Sequence, residues 1–205
     1  MTMKLYDLPL SPNSRKVRAV LLELGTPCEI VSVDARGGKH KTPEFLKLNP
    51  NGKMPTIVDG DFVLWESNAI LSYLATREGK LLPKDLKQRA LVDQWLFWQS
   101  SHFGPAVGKV GFERILKPIF GMGTADEAIV AAGVRDFDTF AAVMDASLDK
   151  REYLCGELTV ADFSIAVWAD YGVQAGLTFA KFPNAQLWYE RMMARESMQK
   201  SAPQR

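Results

Sequence analysis

Two domains of different class are predicted: an α/β domain over residues 1–79, ordered βαβαββα around a mixed four-stranded sheet, and an all-α domain over residues 87–205. A linker at residues 80–86 joins them. Three observations support this division. Short apolar runs alternate with helical periodicity up to Leu74. The composition shifts after Gly79, where Lys80-Leu-Leu-Pro83-Lys-Asp interrupts the pattern. Beyond that point no strand signal survives, and capping sequences open successive helices.

Lys4–Leu8 reads as the first strand. Ser14–Leu24 follows as a helix, with Ser14 as its cap, Val17, Val20, Leu21 and Leu24 on one face, and Gly25 as its stop signal. Cys28–Val33 is the second strand. The Gly37-Gly38 loop leads to Thr42-Pro43, an N-cap with proline at the first helical position, and a short helix to Leu48. Thr56–Val58 and Phe62–Trp65 flank Asp59-Gly60, a type I′ hairpin signal. Ala69, Ile70, Tyr73 and Leu74 mark the third helix. A crossover through the first helix makes the first two strands parallel, and the hairpin makes the last pair antiparallel.

In the second domain, Asp85–Phe103 reads as a helix broken at Gly104-Pro105 and resumed over Ala106–Leu116. Thr124-Ala-Asp-Glu127 reads as a capping box for a helix reaching Lys150, Thr159-Val-Ala-Asp162 as a second cap, and Phe182-Pro183-Asn184 as the start of the last helix. The tail after Met198 is expected to be mobile.

Composition narrows the function. A chain of 205 residues with 47% hydrophobic residues can bury a real core. The formal net charge of +1 suggests neither a nucleic-acid partner nor an electrostatic membrane footprint. No stretch approaches the roughly 18 uncharged apolar residues of a membrane span, and the opening Met-Thr-Met-Lys-Leu-Tyr-Asp leads into a strand rather than a signal peptide. Cys28 and Cys155 read as reduced, partly buried thiols, so a cytoplasmic location is expected. His40 and His102 stand alone, without metal-ligand spacing.

The densest information lies between Asn49 and Ile70. Asn49-Pro50-Asn51-Gly52 is turn chemistry. Pro55 then heads the run Thr56-Ile57-Val58, where its missing N–H does least damage. Two readings stand for it: an ordinary trans proline at a strand start, or a cis bond that holds the Met54 N–H and C=O outward for an extended ligand. Downstream, Ser67 opens a helix whose N-terminal N–H groups and dipole attract an anion, while Glu66 beside it can take an ammonium. An amino-acid head group carries both charges. The alternative is an N-cap serine beside a first-turn acid, with no ligand.

Taken together, these patterns resemble the cytosolic glutathione transferases. The carriers are Asn49-Pro-Asn-Gly-Lys-Met-Pro55 and Glu66-Ser-Asn-Ala-Ile-Leu-Ser-Tyr-Leu74, a multi-motif match over the first 82 or so residues. Gly156…Thr159-Val-Ala-Asp162 resembles a folding element of that family's helical domain. The resemblance implies a thioredoxin-like first domain, glutathione as co-substrate, no metal, and a homodimer. Ser11, four residues before Arg15, is similar to the serine of delta-, theta- and phi-like members, whereas Ser11-Pro12-Asn13 resembles nu-like bacterial members that favour disulfide chemistry. The resemblance therefore points to a bacterial-type serine member.

The required chemistry is modest. A thiol with a pKa near 8.5 is only about 3% thiolate at pH 7. Lowering it by roughly two pKa units takes about 2.7 kcal/mol, which one hydrogen bond to a charged acceptor can supply. Ser11 is the first candidate donor and Asn13 the second. Tyr6, inside the first strand, is expected to pack in the core. Because Ser11-x-x-Ser14 stands where a redox dithiol would lie, the reactive sulfur must arrive with the ligand. Met54 is expected to pair with the peptide backbone, with Pro55 beside it among the glutathione-binding residues, Glu66 and Ser67 to hold its γ-glutamyl end, and His40 and Lys53 its glycine carboxylate. Trp98, His102, Phe103 and Phe112 are candidates to wall a pocket for an apolar electrophile; each is equally well read as core. Detoxifying transfer of the thiolate is the first reading. A glutathione-dependent disulfide oxidoreductase and a binding module without turnover are the alternatives.

Overall fold

The computed structural model describes residues 2–203. It divides into two compact units: residues 2–82 with 195–203, and Pro83–Ala194. The first unit holds β1 (Met3–Asp7), α1 (Pro12–Leu24), β2 (Cys28–Ser32), α2 (Pro43–Leu48), β3 (Thr56–Asp59), β4 (Phe62–Trp65) and α3 (Ser67–Glu78). The sheet order is β2-β1-β3-β4, with β1 parallel to β2 and the other two pairs antiparallel. This is the thioredoxin-like arrangement that the resemblance implies.

Local rules account for these elements. On β1, Met3 and Leu5 are buried on one face, and Val17, Val20 and Leu21 of α1 join Ile70, Leu71 and Leu74 of α3 in the core, where the two helices pack together. Burying each such side chain contributes about 1.5–3 kcal/mol. Gly25 and Gly79 close α1 and α3 in the left-handed conformation. Thr42 caps α2, accepting from the Phe45 N–H at 3.4 Å.

Two details differ from the sequence reading. The helix α1 begins at Pro12 with Ser11 as its cap, because proline suits the first helical position. Ser14, expected as the cap, is buried and accepts from the Leu8 N–H at 3.2 Å. The hairpin turns on Gly60 and Asp61, since Asp59 still pairs with Phe62. Of those two turn residues only Gly60 has positive φ, so the turn is not type I′.

The helical unit comprises α4 (Leu86–Trp98), α5 (Gly104–Gly111), α6 (Lys117–Phe120), α7 (Glu127–Ser147), α8 (Val160–Gln174) and α9 (Pro183–Met193). The expected break at Gly104-Pro105 does not occur. The backbone stays helical through a π turn at Gln99–Phe103, and again through one at Phe112–Leu116. Pro105 and Pro118 each follow one of these turns. The wider π turn accommodates a residue that lacks an N–H and whose ring crowds the preceding carbonyls. Asp126, not Thr124, caps α7, accepting from Ala128 N and Ile129 N at 2.9 and 3.3 Å. The Thr159…Asp162 capping box is present as expected.

The segment from Arg195 belongs with the first unit, although the sequence reading placed everything after residue 86 in the helical domain. A short helix, α10 (Glu196–Lys200), packs on α1. Arg15 donates to the Met198 carbonyl at 3.3 Å and Arg18 to that of Ser201 at 3.2 Å. Glu23 accepts from Arg195 and, at 2.6 Å, from Ser197. Met198 and Ser201 are buried, so the expected mobility does not begin at Met198. Residues 204 and 205 lie outside the described residues. Partial burial pushes the Glu23 carboxyl up, but Arg195 and Ser197 together outweigh it and hold the carboxyl below its ordinary value. A depressed folded pKa contributes stability above the unfolded value that is lost as pH falls through the folded one. Glu23→Gln is therefore expected to speed tryptic cleavage after Arg195 and Lys200 severalfold at neutral pH, read by mass spectrometry. In the wild type, acidification through the carboxylate range should have the same loosening effect on this segment.

Candidate active site

The register of the sheet gathers the sequence-predicted peptide-binding residues at one end. Tyr6 pairs with Thr56, which pairs with Trp65, and Asp7 pairs with Ser32. The chain leaving β1 carries Ser11 and Asn13, and the chain leaving β2 carries His40. The chain entering β3 carries Lys53, Met54 and Pro55, and the chain leaving β4 carries Glu66 and Ser67. All four connections lie at the same sheet edge because β1 and β2 end where β3 begins and β4 ends.

The Met54-Pro55 peptide bond is cis, the second of the two readings. Met54 precedes the β ladder, and no residue among those described hydrogen-bonds to its N–H or C=O. The preceding turn is built on Asn49, which is buried at 2% exposure. Its amide donates to the Lys53 carbonyl at 2.7 Å and to Thr56 Oγ1 at 3.1 Å, and its Oδ1 accepts from Asn51 N at 3.0 Å. Sequence reading saw the turn but missed Asn49 as its hub; an asparagine beside Pro-x-Gly, whose amide has four hydrogen-bonding sites to satisfy, was the available signal. Gly52, at φ +58, brings this turn against the His40 loop, where a Cβ would lie 2.7 Å from the His40 carbonyl. Lys41 Nζ ties the same loops by donating to Asn51 O at 3.2 Å. His40 sits in a 3-10 turn, with its Nδ1 buried and without a hydrogen bond. The Lys53 side chain is exposed.

Ser11 accepts from the Ser14 N–H at 3.4 Å. A hydroxyl has one donor and two acceptor sites, so its proton stays available at the N-terminus of α1. Below it, burial raises the Asp7 carboxyl pKa, opposed by Arg18 and by a hydrogen bond from Ser14. Ser67 donates to Asn13 Oδ1 at 3.3 Å, joining the N-termini of α3 and α1. Glu66, the N-cap of α3, is exposed and adopts φ 70, a conformation that costs a non-glycine residue about 1–3 kcal/mol. Tyr6 stands on β1 with its ring edge-on to Phe45 at 5.9 Å, as core packing predicts.

In the helical unit, Trp98 meets Trp95 and Phe140 edge-on and stacks on Phe103 at 5.5 Å. Phe103 is 0% exposed, with Trp98 and Phe137 against it, so it is core rather than a pocket wall. His102 is exposed with its ring 5.6 Å from Phe140, and Phe112 is 38% exposed. A cavity of about 410 Å³ in this unit, lined in part by Leu91, Trp95 and Leu154, includes none of the four candidates. Among the described residues there is no metal-ligating cluster, and no helix is long and apolar enough to cross a membrane. Cys28 and Cys155 are free thiols, each raised by burial to about 11.

Residues 1–76 match the glutathione S-transferase N-terminal domain and residues 104–196 the C-terminal domain. Glutathione S-transferase 3 of Zea mays is 37% identical, over 97% of this chain and 92% of its own length. The solved structure of glutathione S-transferase-I bound with lactoylglutathione superposes with a TM-score of 0.92 at 31% identity, covering 98% of this chain and 99% of that one. A glutathione transferase of Pseudomonas putida, with one glutathione disulfide bound per subunit, gives 0.86 at 31% identity, covering 98% and 90%. The chain belongs to the glutathione S-transferase family.

Proposed function

We propose that this protein is a glutathione transferase that ionises the glutathione thiol and directs it at an apolar electrophile. The observation that carries the reading is the joined pair of helix N-termini, α1 with the Ser11 hydroxyl and α3 with Ser67, linked through Asn13. Two positive dipole ends favour an anionic sulfur and an α-carboxylate. The uncommitted Met54 peptide groups suit an extended tripeptide. In this reading Ser11 stabilises the thiolate, Glu66 and Ser67 take the γ-glutamyl head, and Met54 and Pro55 align the backbone. His40 and Lys53 take the glycine carboxylate; the unsatisfied Nδ1 of His40 supports its part. Trp98, His102 and Phe112 remain the candidates for the electrophile side.

Relatives at 31–37% identity from Zea mays and rice favour a phi-like serine member over the delta-, theta- or nu-like alternatives. A cytoplasmic homodimer with a detoxifying role fits the family. The second reading, glutathione-dependent disulfide reduction, draws on Asn13 and on the bacterial relative that holds glutathione disulfide. Parallel assays of conjugation to a chloronitroarene and of disulfide reduction test the choice. Conjugation faster than reduction is expected; the reverse order would favour the second reading. Titration with glutathione at millimolar concentration that gave neither heat nor thermal shift would sink both.

A further inference from the structure

We propose that Lys16 is a positioning residue for glutathione binding, tying the first turn of α3 to α1 so that the two helix N-termini keep their spacing. The proposal rests on the glutathione reading and adds to it a residue that does not touch the ligand. Lys16 is a lysine buried to 1% exposure in α1, a helix whose residues are mostly buried and of which only Leu22 is exposed. Its Nζ donates to Asn68 Oδ1 at 2.7 Å. Three residues earlier on α1, Asn13 accepts from Ser67. Residues three apart share a helix face, so Asn13 and Lys16 together grip the consecutive residues Ser67 and Asn68. One tie alone leaves a pivot; two fix the distance and rotation between the end that would meet the sulfur and the end that would meet the amino-acid head.

A lysine is an expensive way to build such a tie. Burial pulls the Lys16 pKa down to about 7, against the charge of Glu66, which raises it. A lowered folded pKa means the ammonium is a burden on the fold at and below neutrality, relieved as pH rises from about 7 towards the unfolded value. A methionine of similar shape would remove that burden. Keeping the cation thus costs stability, and the compensating benefit is a charge-assisted bond to Asn68, roughly twice as strong as a neutral one. Glu66 is the charged group acting from α3. On the α10 side, α1 turns Arg15 and Arg18 to the carbonyls of Met198 and Ser201, and Glu23 to Arg195. Asp7 on β1 is paired with Arg18. His40, on the loop after β2, is a further ionisable side chain of the proposed site and needs its own control.

The test uses S-methylglutathione, which has no thiol to ionise, titrated calorimetrically between pH 6 and 9 on the order of the Lys16 range. The wild type is expected to bind more weakly as pH rises through about 7, as the amine loses its charge, and a His40→Asn variant should keep that step. Lys16→Met is expected to bind about 10-fold more weakly at pH 6, with a flat profile and a melting temperature no lower than wild type. Asn68→Ala should match it, and the double variant should lose little more. Equal affinity in wild type and Lys16→Met, a lower melting temperature accounting for the loss, or additive losses in the double variant would overturn the role of Lys16. Absence of binding by the wild type would instead overturn the glutathione reading.

Discussion

Ser11→Ala is expected to lower conjugation turnover roughly 10- to 150-fold while changing glutathione affinity little, because in the proposed mechanism the hydroxyl acts on the ionised sulfur rather than on the peptide. The range follows from one hydrogen bond to a charged acceptor, about 1.5–3 kcal/mol. The absorbance of bound thiolate, followed against pH, should move upward by roughly one to two pKa units. Ser11 also caps α1, so part of any loss could come from fraying. Replacing a capping serine by alanine costs about 1 kcal/mol, but glycine costs only a few tenths. Ser11→Gly should therefore be as inactive as Ser11→Ala while recovering most of the stability. If both variants keep their rate and Asn13→Ala loses it, the donor is the Asn13 amide and disulfide chemistry becomes the better reading.

The first unit was legible because its signals are local. Proline at the first turn of α2, glycine after α1 and α3, and an apolar face on α1 each act within a few residues. The placing of the candidate site's first-unit residues was legible for the same reason, since they flank strand ends. What escaped reading depends on partners far along the chain. Lys16 and Asn68 are 52 positions apart, and Arg15 and Met198 are 183 apart. No periodicity announces such pairs. The unbroken helix through Gly104-Pro105 escaped for another reason: the local rule against proline is correct, but a π turn before it satisfies the rule without ending the helix. Phe103 lies on that same turn and is fully buried, so an aromatic read as pocket lining is packing instead.

The largest loss of stability is expected at Asp162, which the sequence assigned to folding rather than chemistry. Its carboxylate is fully buried and takes four hydrogen bonds: from Leu154 N at 3.0 Å, Trp188 Nε1 at 3.0 Å, Thr159 N at 2.9 Å and Thr159 Oγ1 at 3.1 Å. One side chain thus closes the cap of α8, holds the loop before it and anchors the indole of α9. Burial raises the Asp162 pKa, with these donors pulling the other way. Asp162→Ala strands two backbone N–H groups and an indole N–H inside the core, at about 1–3 kcal/mol each. A loss of about 4 kcal/mol or more is expected, a large share of the 5–15 kcal/mol that typically holds a domain. Urea unfolding followed by tryptophan fluorescence would measure it. Thr159→Ala removes one hydroxyl and leaves the carboxylate with three donors, so about 1 kcal/mol is expected there. Equal, small losses for the two variants would show that Asp162 is not the hub of this unit.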